Sequence, residues 1–184
     1  MQFTIQNARL AFPSLFKAQT VNGEGEPAYS ATFLIAKDSK AVKELTAVID
    51  QVAKEKWADK AATNLKAIRA ANKTCLQDGD MKANYAGFDG NMFVSARTPT
   101  RPTVIDRDRS PLSEADGKVF AGVYVNAIVD IWAMDNAYGK RICAKLMGLQ
   151  FVKTGEAFGG GGAPVSADAF ADLGVEDDEE DSLV

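Results

Sequence analysis

The chain has 184 residues, 46% hydrophobic and 25% charged, enough apolar material for one core and consistent with a single globular domain plus an appendage. It has no histidine and only two cysteines, Cys75 and Cys143, which excludes Ser-His and Cys-His nucleophilic systems, a disulfide framework and paired zinc ligands. No basic stretch precedes an apolar run at the N-terminus, and the richest apolar segment, 119–134, is interrupted by Asn126 and Asp130, so a cytoplasmic protein without a membrane anchor is expected.

Residues 3–12 read as a first strand and 29–37 as a second, with the Gly-Glu-Gly-Glu-Pro stretch at 23–27 as the loop between them. From 39 to about 72 the apolar period becomes helical. Val42, Leu45, Ile49 and Val52 recur at spacings of three and four with Lys and Glu between them, and Asp38 or Ser39 can cap the start. A break near 57–59 divides the stretch into two helices whose lysines suit a solvated face. The loop at 78–90 carries Tyr85, Phe88 and Lys82. Further strands are expected at 91–97, 122–134 and 140–152, the last two joined by a hairpin connection at 135–139. Five strands with an α insertion predict a mainly β, OB-fold-like five-stranded barrel. The helix of the usual OB barrel lies between the third and fourth strands, whereas this one falls between the second and third, so either a strand near 81–88 is uncounted or the barrel is elaborated.

Alternation in the strands separates two faces. Along 122–134, Val123, Val125, Ala127, Val129, Ile131 and Ala133 form a core face. Tyr124, Asn126, Ile128, Asp130, Trp132 and Met134 point the other way and mix aromatic with polar groups. In 91–97, Met92, Val94 and Ala96 read as inward, and Asn91, Phe93, Ser95 and Arg97 as outward. In 140–152, Ile142, Ala144 and Leu146 oppose Arg141, Cys143 and Lys145. Aromatic rings interleaved with cations on a small barrel suit single-stranded nucleic acid, because bases stack on rings while phosphates pair with Lys and Arg. Tyr124, Trp132, Phe93, Tyr85 and Phe88 are the stacking candidates. The alternative is that these rings are covered by the helices or a partner.

Between the third and fourth strands, residues 97–109 hold Arg97, Arg101, Arg107 and Arg109 with two prolines, a plausible phosphate-contacting arm. Arg141, Lys145 and Lys82 complete the phosphate-contact candidates. Asp78 with Asp80, or Asp106 with Asp108, could hold Mg²⁺, but Asp-Gly is an ordinary turn pair, and no metal or other cofactor is expected.

The charge is distributed unevenly. Residues 1–153 hold all 21 Lys and Arg against 16 acids, a net +5, while 154–184 hold nine acids and no base. Low hydrophobicity, a four-glycine run at 159–162 and the block Glu176, Asp177, Asp178, Glu179, Glu180 and Asp181 predict a disordered acidic tail. The chain thus divides into a binding domain, 1–153, and a linker with a tail, 154–184. The 22 residues from 154 to 175 give a flexible span of roughly 26 Å, so the acidic block can reach most of the body's surface.

The sequence resembles the OB-fold single-stranded DNA-binding proteins of tailed bacteriophages, first catalogued as a domain of unknown function. The resemblance rests on Arg-Leu-Ala-Phe-Pro-Ser-Leu-Phe at 9–16, Tyr-Ser-Ala-Thr-Phe-Leu-Ile at 29–35, Asp-Gly-Asp at 78–80 and Ser-Ala-Arg at 95–97. It continues through Arg-Pro at 101–102, Phe-Ala-Gly-Val-Tyr-Val at 120–125 and Gly-Leu-Gln-Phe-Val at 148–152. It implies a non-enzymatic protein that coats single-stranded DNA in phage replication or recombination. It also implies an acidic tail that competes with DNA and recruits replication or recombination proteins, although here the tail ends in Leu183-Val184 rather than an aromatic residue. Self-association is compatible with this reading. The rival readings are a phage structural or DNA-mimicking interaction protein that binds no nucleic acid, and a carboxylate-dependent Mg²⁺ nuclease.

Overall fold

The computed structural model describes residues 1–158 and 170–174; the acidic block 176–181 lies outside them. The chain opens with two long strands, β1 (Gln2–Val21) and β2 (Glu24–Ala36). Only Asn22 and Gly23 separate them, both at positive φ (53° and 75°). That geometry is the tight turn matched to strand twist, and Asn-Gly favours it. The loop expected at 23–27 is therefore shorter, and β1 runs well past residue 12.

Helix α1 (Lys40–Trp57) is capped by Ser39, whose Oγ accepts the Val42 N–H at 3.4 Å. Its apolar stripe, Leu45, Ile49, Val52 and Ala53, is buried. Each large aliphatic side chain so buried contributes roughly 1.5–3 kcal/mol. Ala58 at φ 50° ends the helix, and a short 3₁₀ turn leads into α2 (Ala61–Ala70), so the break falls where the sequence predicts it. The helices pack against the later strands β6 (Tyr124–Asn136) and β7 (Gly139–Lys153), and the Trp57 indole N–H donates to Asp135 Oδ2 at 2.9 Å.

Three further strands complete the sheet: β3 (Leu76–Asp78), β4 (Asn91–Thr98) and β5 (Thr103–Ile105). β1 pairs with β2 and β6, β2 with β4, and β6 with β7, all antiparallel. The barrel closes where β4 meets β7 in parallel, with Arg97 opposite Lys145. The result is the expected five-stranded barrel, β1-β2-β4-β7-β6, with β3 and β5 as short additions. No strand forms at 81–88, which is a 3₁₀ turn followed by loop. The helices are therefore an elaboration inserted between the second and third barrel strands.

The barrel interior holds Ile5, Leu10, Phe33, Val94, Val125, Val129, Ile131 and Leu146, continuous with the helical stripe. A second, smaller core lies on the outer face of β1, β2 and β4: Ala11, Leu34 and Phe93 covered by Phe88 from the 79–90 loop. That loop closes tightly. A Cβ on Gly79 would lie 2.0 Å from the Phe88 carbonyl oxygen, so only glycine fits there.

Candidate nucleic-acid interface

The outer face of β1, β2 and β4 supplies the surface of interest. The register of β1 shifts between Ile5 and Ala8, between Ala11 and Ser14, and twice more between Ser14 and Val21; the first two shifts are bulges at residues of positive φ, Asn7 and Phe12. At the second bulge Phe12 takes φ 46°, a strained conformation for a bulky residue, and its ring turns outward with 54% of its surface exposed. Tyr85, 43% exposed, meets it edge to face with ring centroids 5.0 Å apart. These two rings stand over Phe88.

From this aromatic pair a groove runs along the sheet. Phe12, Ser14, Ser30, Thr32, Ser95 and Arg97 line its middle. Arg97, Thr98, Pro99, Glu26, Cys143 and Trp132 line the far end. Phe12 also lines the recess at the near end, and Arg97 links the middle to the far recess, so the three are continuous. The groove thus has aromatic rings at both ends, a floor of hydroxyls and an exposed guanidinium between.

Tyr85, Arg97 and Trp132 lie in this groove. Trp132 is 43% exposed, opposite Cys143 on β7. Arg141 and Lys145 are exposed on the outward face of β7, and Lys82 is exposed with Nζ 5.0 Å from the Phe93 ring centroid. The alternation read along β6 matches the burial found, with Val125, Ala127, Val129 and Ile131 buried and Tyr124, Asn126 and Trp132 outside. Tyr124 is half-buried, because Lys153 Nζ sits 4.5 Å from its ring centroid and Gly155 packs against it.

Two of the stacking candidates need correction. Phe93 and Phe88 are 1% and 2% exposed, within the second core. Phe93 does point away from the barrel interior, but the 79–90 loop covers it. Both rings support the aromatic surface from beneath. The arginine arm does not act as one unit either. Residues 103–105 pair with β7, and 106–109 form a turn in which the Arg107 guanidinium donates to the Val152 carbonyl and Arg109 takes φ 69°. Arg107 and Arg109 are therefore separated from Arg97 by a strand, while Arg101 is exposed two residues beyond Pro99.

Residues 154–158, after β7, form a short strap bonded to the folded body. Phe158 N–H donates to the Ala121 carbonyl at 3.0 Å, and Arg9 Nη2 donates to the Glu156 carbonyl at 2.6 Å. A Cβ on Gly122 would come within 2.2 Å of the Glu156 oxygen, so the strap and the 121–122 turn meet backbone to backbone. The Arg9 guanidinium lies 4.1 Å from the Phe158 ring centroid. Phe12, Arg9, Lys153 and Phe158 are absent from the site candidates read from sequence. Phe12 and Arg9 sit beside bulges that break the alternation, and Phe158 follows the last apolar strand. An Arg-x-x-Phe-Pro run is the one signal that could have marked the bulge.

The pairs of aspartates hold protein groups. Lys37 Nζ lies 2.9 Å from Asp78 Oδ1 and bonds Asp80 as well. The bond from Lys37, then the Gly90 N–H, keeps Asp80 below its ordinary value, and the Asp80 N–H, then Lys37, does so for Asp78. Asp106 is lowered chiefly by Lys118, and Asp108 by the Ser110 hydroxyl. Burial pushes the Cys75 thiol up to about 12 and raises Cys143, so neither is a ready thiolate. The charge of the body is not concentrated in the groove. Residues 40–73 carry eight Lys and Arg against four acids, so most of the +5 lies in the helical segment. Among the described residues no helix is long and apolar enough to cross a membrane.

Comparison with known proteins gives a consistent result. The family described as the ssDNA-binding protein of Enterobacter phage Enc34 matches residues 1–183. Protein p50 of Acyrthosiphon pisum secondary endosymbiont phage 1 is 42% identical over 183 residues, 98% of each chain. Among solved structures, the single-stranded DNA-binding protein from bacteriophage Enc34 in complex with ssDNA superposes with a TM-score of 0.74 at 29% identity, covering 86% of this chain and 89% of that one. Gp2.5, a single-stranded DNA-binding protein encoded by bacteriophage T7, has a TM-score of 0.57 at 14% identity, covering 88% and 90%, a likeness of fold.

Proposed function

The chain belongs to the family of phage single-stranded DNA-binding proteins that includes that of Enterobacter phage Enc34, and from that premise we propose that it binds single-stranded DNA independently of base sequence, along the outer face of β1, β2 and β4. The observation that carries this reading is the continuity of the groove from Phe12 and Tyr85, past Arg97, to Trp132. Bases stack on exposed rings at either end, worth roughly 1–3 kcal/mol each, and every base has a face to offer. Hydroxyls of Ser14, Ser30, Thr32 and Ser95 bond sugar or phosphate without reading sequence. The function is binding rather than catalysis, and its place is phage DNA replication or recombination.

The acidic residues 176–181 complete the proposal. Tethered to a body of +5, they compete with DNA for its cations and, once displaced, are free to engage replication or recombination proteins. The test is a mobility shift with oligo-dT, a mixed-sequence strand and a duplex of equal length. Similar affinity for both single strands is expected. No shift with any of them would favour an interaction protein that binds no nucleic acid, and cleavage that EDTA abolishes would favour a nuclease.

A further inference from the structure

We propose that the recess between Phe12, Tyr85 and Phe158 is a slot for one unstacked nucleobase, with Phe158 as its outer wall and Asn84 as the group that meets the base edge. The inference rests on the single-stranded DNA reading and goes beyond it, because it adds the strap after β7 to the binding surface and assigns a discrete base site to one end of the groove.

The slot is lined by Phe12, Asn84, Tyr85, Phe88, Ala121 and Phe158. Three walls are aromatic. Apart from the backbone and the Tyr85 hydroxyl, the polar group among these side chains is the Asn84 amide, which both donates and accepts and can therefore bond the edge of any base. Phe12 belongs to the slot and to the groove, so a strand lying on Ser14, Ser30 and Ser95 continues into it.

The wall is built in. Gly87 has φ 84°, and a Cβ there would come within 2.6 Å of the Phe158 ring, so the loop carrying Tyr85 is shaped to receive that ring. Gly122 and Gly155 are equally crowded, each with a Cβ position 2.2 Å from the other segment's carbonyl oxygen. Arg9 fastens the strap through the Gly122 carbonyl at 3.1 Å and the Glu156 carbonyl at 2.6 Å. These bonds use two of the five guanidinium N–H groups. The rest remain for the phosphate of the nucleotide whose base enters the slot.

The experiment uses the full chain and oligo-dT carrying 5-iododeoxyuridine, which crosslinks on irradiation to aromatic side chains that stack on it, with adducts mapped by mass spectrometry. Adducts at Phe158, together with Tyr85 or Phe12, are expected. Phe158→Leu keeps an apolar side chain over the second core but removes the π-face. It should weaken oligo-dT binding by about fivefold or more with an unchanged melting temperature, and Asn84→Ala should weaken it by a smaller factor. Adducts confined to Trp132 and Tyr124, with Phe158→Leu and Phe158→Ala both binding like the parent, would overturn the slot and leave the groove standing. A parent protein that binds no oligo-dT would overturn both.

Discussion

Arg97 stands opposite Lys145 in the parallel pairing that closes the barrel. Both are exposed, and neither has an ion-pair partner among the described residues; Arg97 donates to the Glu26 carbonyl at 3.3 Å. Like charges facing each other across a strand pair are unfavourable, and a phosphate lying between them removes the conflict. Arg97→Gln and Lys145→Gln should each lower the slope of log K against log salt by about 0.7, while leaving the free protein as stable or up to about 0.5 kcal/mol more so. Titration of oligo-dT across a range of salt concentrations, with denaturant melts of the same proteins, checks both parts. Unchanged slopes would place the strand elsewhere.

The aromatic residues should separate into two classes. Tyr85→Ala and Trp132→Ala remove exposed rings and should lose roughly 1–3 kcal/mol of binding each with little change in stability. Phe88→Ala and Phe93→Ala empty the second core and should lose about 3–5 kcal/mol of stability. Chemical denaturation beside anisotropy with labelled oligo-dT distinguishes them. Trp132→Ala unfolding the protein by a core-sized amount would show that its exposed face is not where its energy lies.

The clasp of Lys37 on Asp78 and Asp80 sets a pH window for the loop that carries Tyr85. The folded state holds both carboxyls below their ordinary value of 3.8 and so binds fewer protons there than the unfolded chain. Their support is complete above 3.8 and is lost as pH falls through the lowered folded values. Lys37 is raised above 10.5, so its support is complete below that value and is lost as pH rises through the raised one. The Gly90 amide, which donates to Asp80 at 2.8 Å, reports the clasp. Its NMR shift should be flat from about pH 5 to 9 and move in acid, and Asp80→Asn should abolish the acid step.

Deleting 176–184 removes six acids and should tighten binding to oligo-dT at low salt. The gain should shrink at 0.15 M salt, where screening acts beyond roughly 8 Å. Equal affinities for the full and shortened chains would make the tail a passive solubiliser.

Legibility in the sequence followed local regularity. β6 pairs on both sides over residues 124–130 and buries one face from Val125 to Ile131, so its alternation reads directly there. β1 does not, because the bulges at Asn7 and Phe12 change which side the next residue faces, and the strand beyond residue 12 loses its phase. Parity gave the side of Phe93 correctly. It could not reveal that the loop leading into β4, closed by Gly79 against Phe88, folds back over that side. The arginines of 97–109 looked like one arm because they are near in sequence, yet β5 pairs in the middle of them and sends the last two elsewhere.

The position of β1 also governs how the molecule comes to be made. Its first half pairs with β6, and Arg9 Nε bonds the Gly122 carbonyl 113 residues further along. While the chain is being synthesised, the hairpin of β1 and β2 and the helices can form from local contacts, but the barrel cannot close until β6 and β7 have followed. Such long-range pairing is slow, and it leaves unpaired strand edges waiting. The distal part of that hairpin carries Lys17, Glu24 and Glu26, all exposed. Those charges guard the hairpin tip, whereas the edge Gln2–Arg9 that waits for β6 carries only one charge, Arg9, so that edge is the one open to pairing with another copy until β6 arrives.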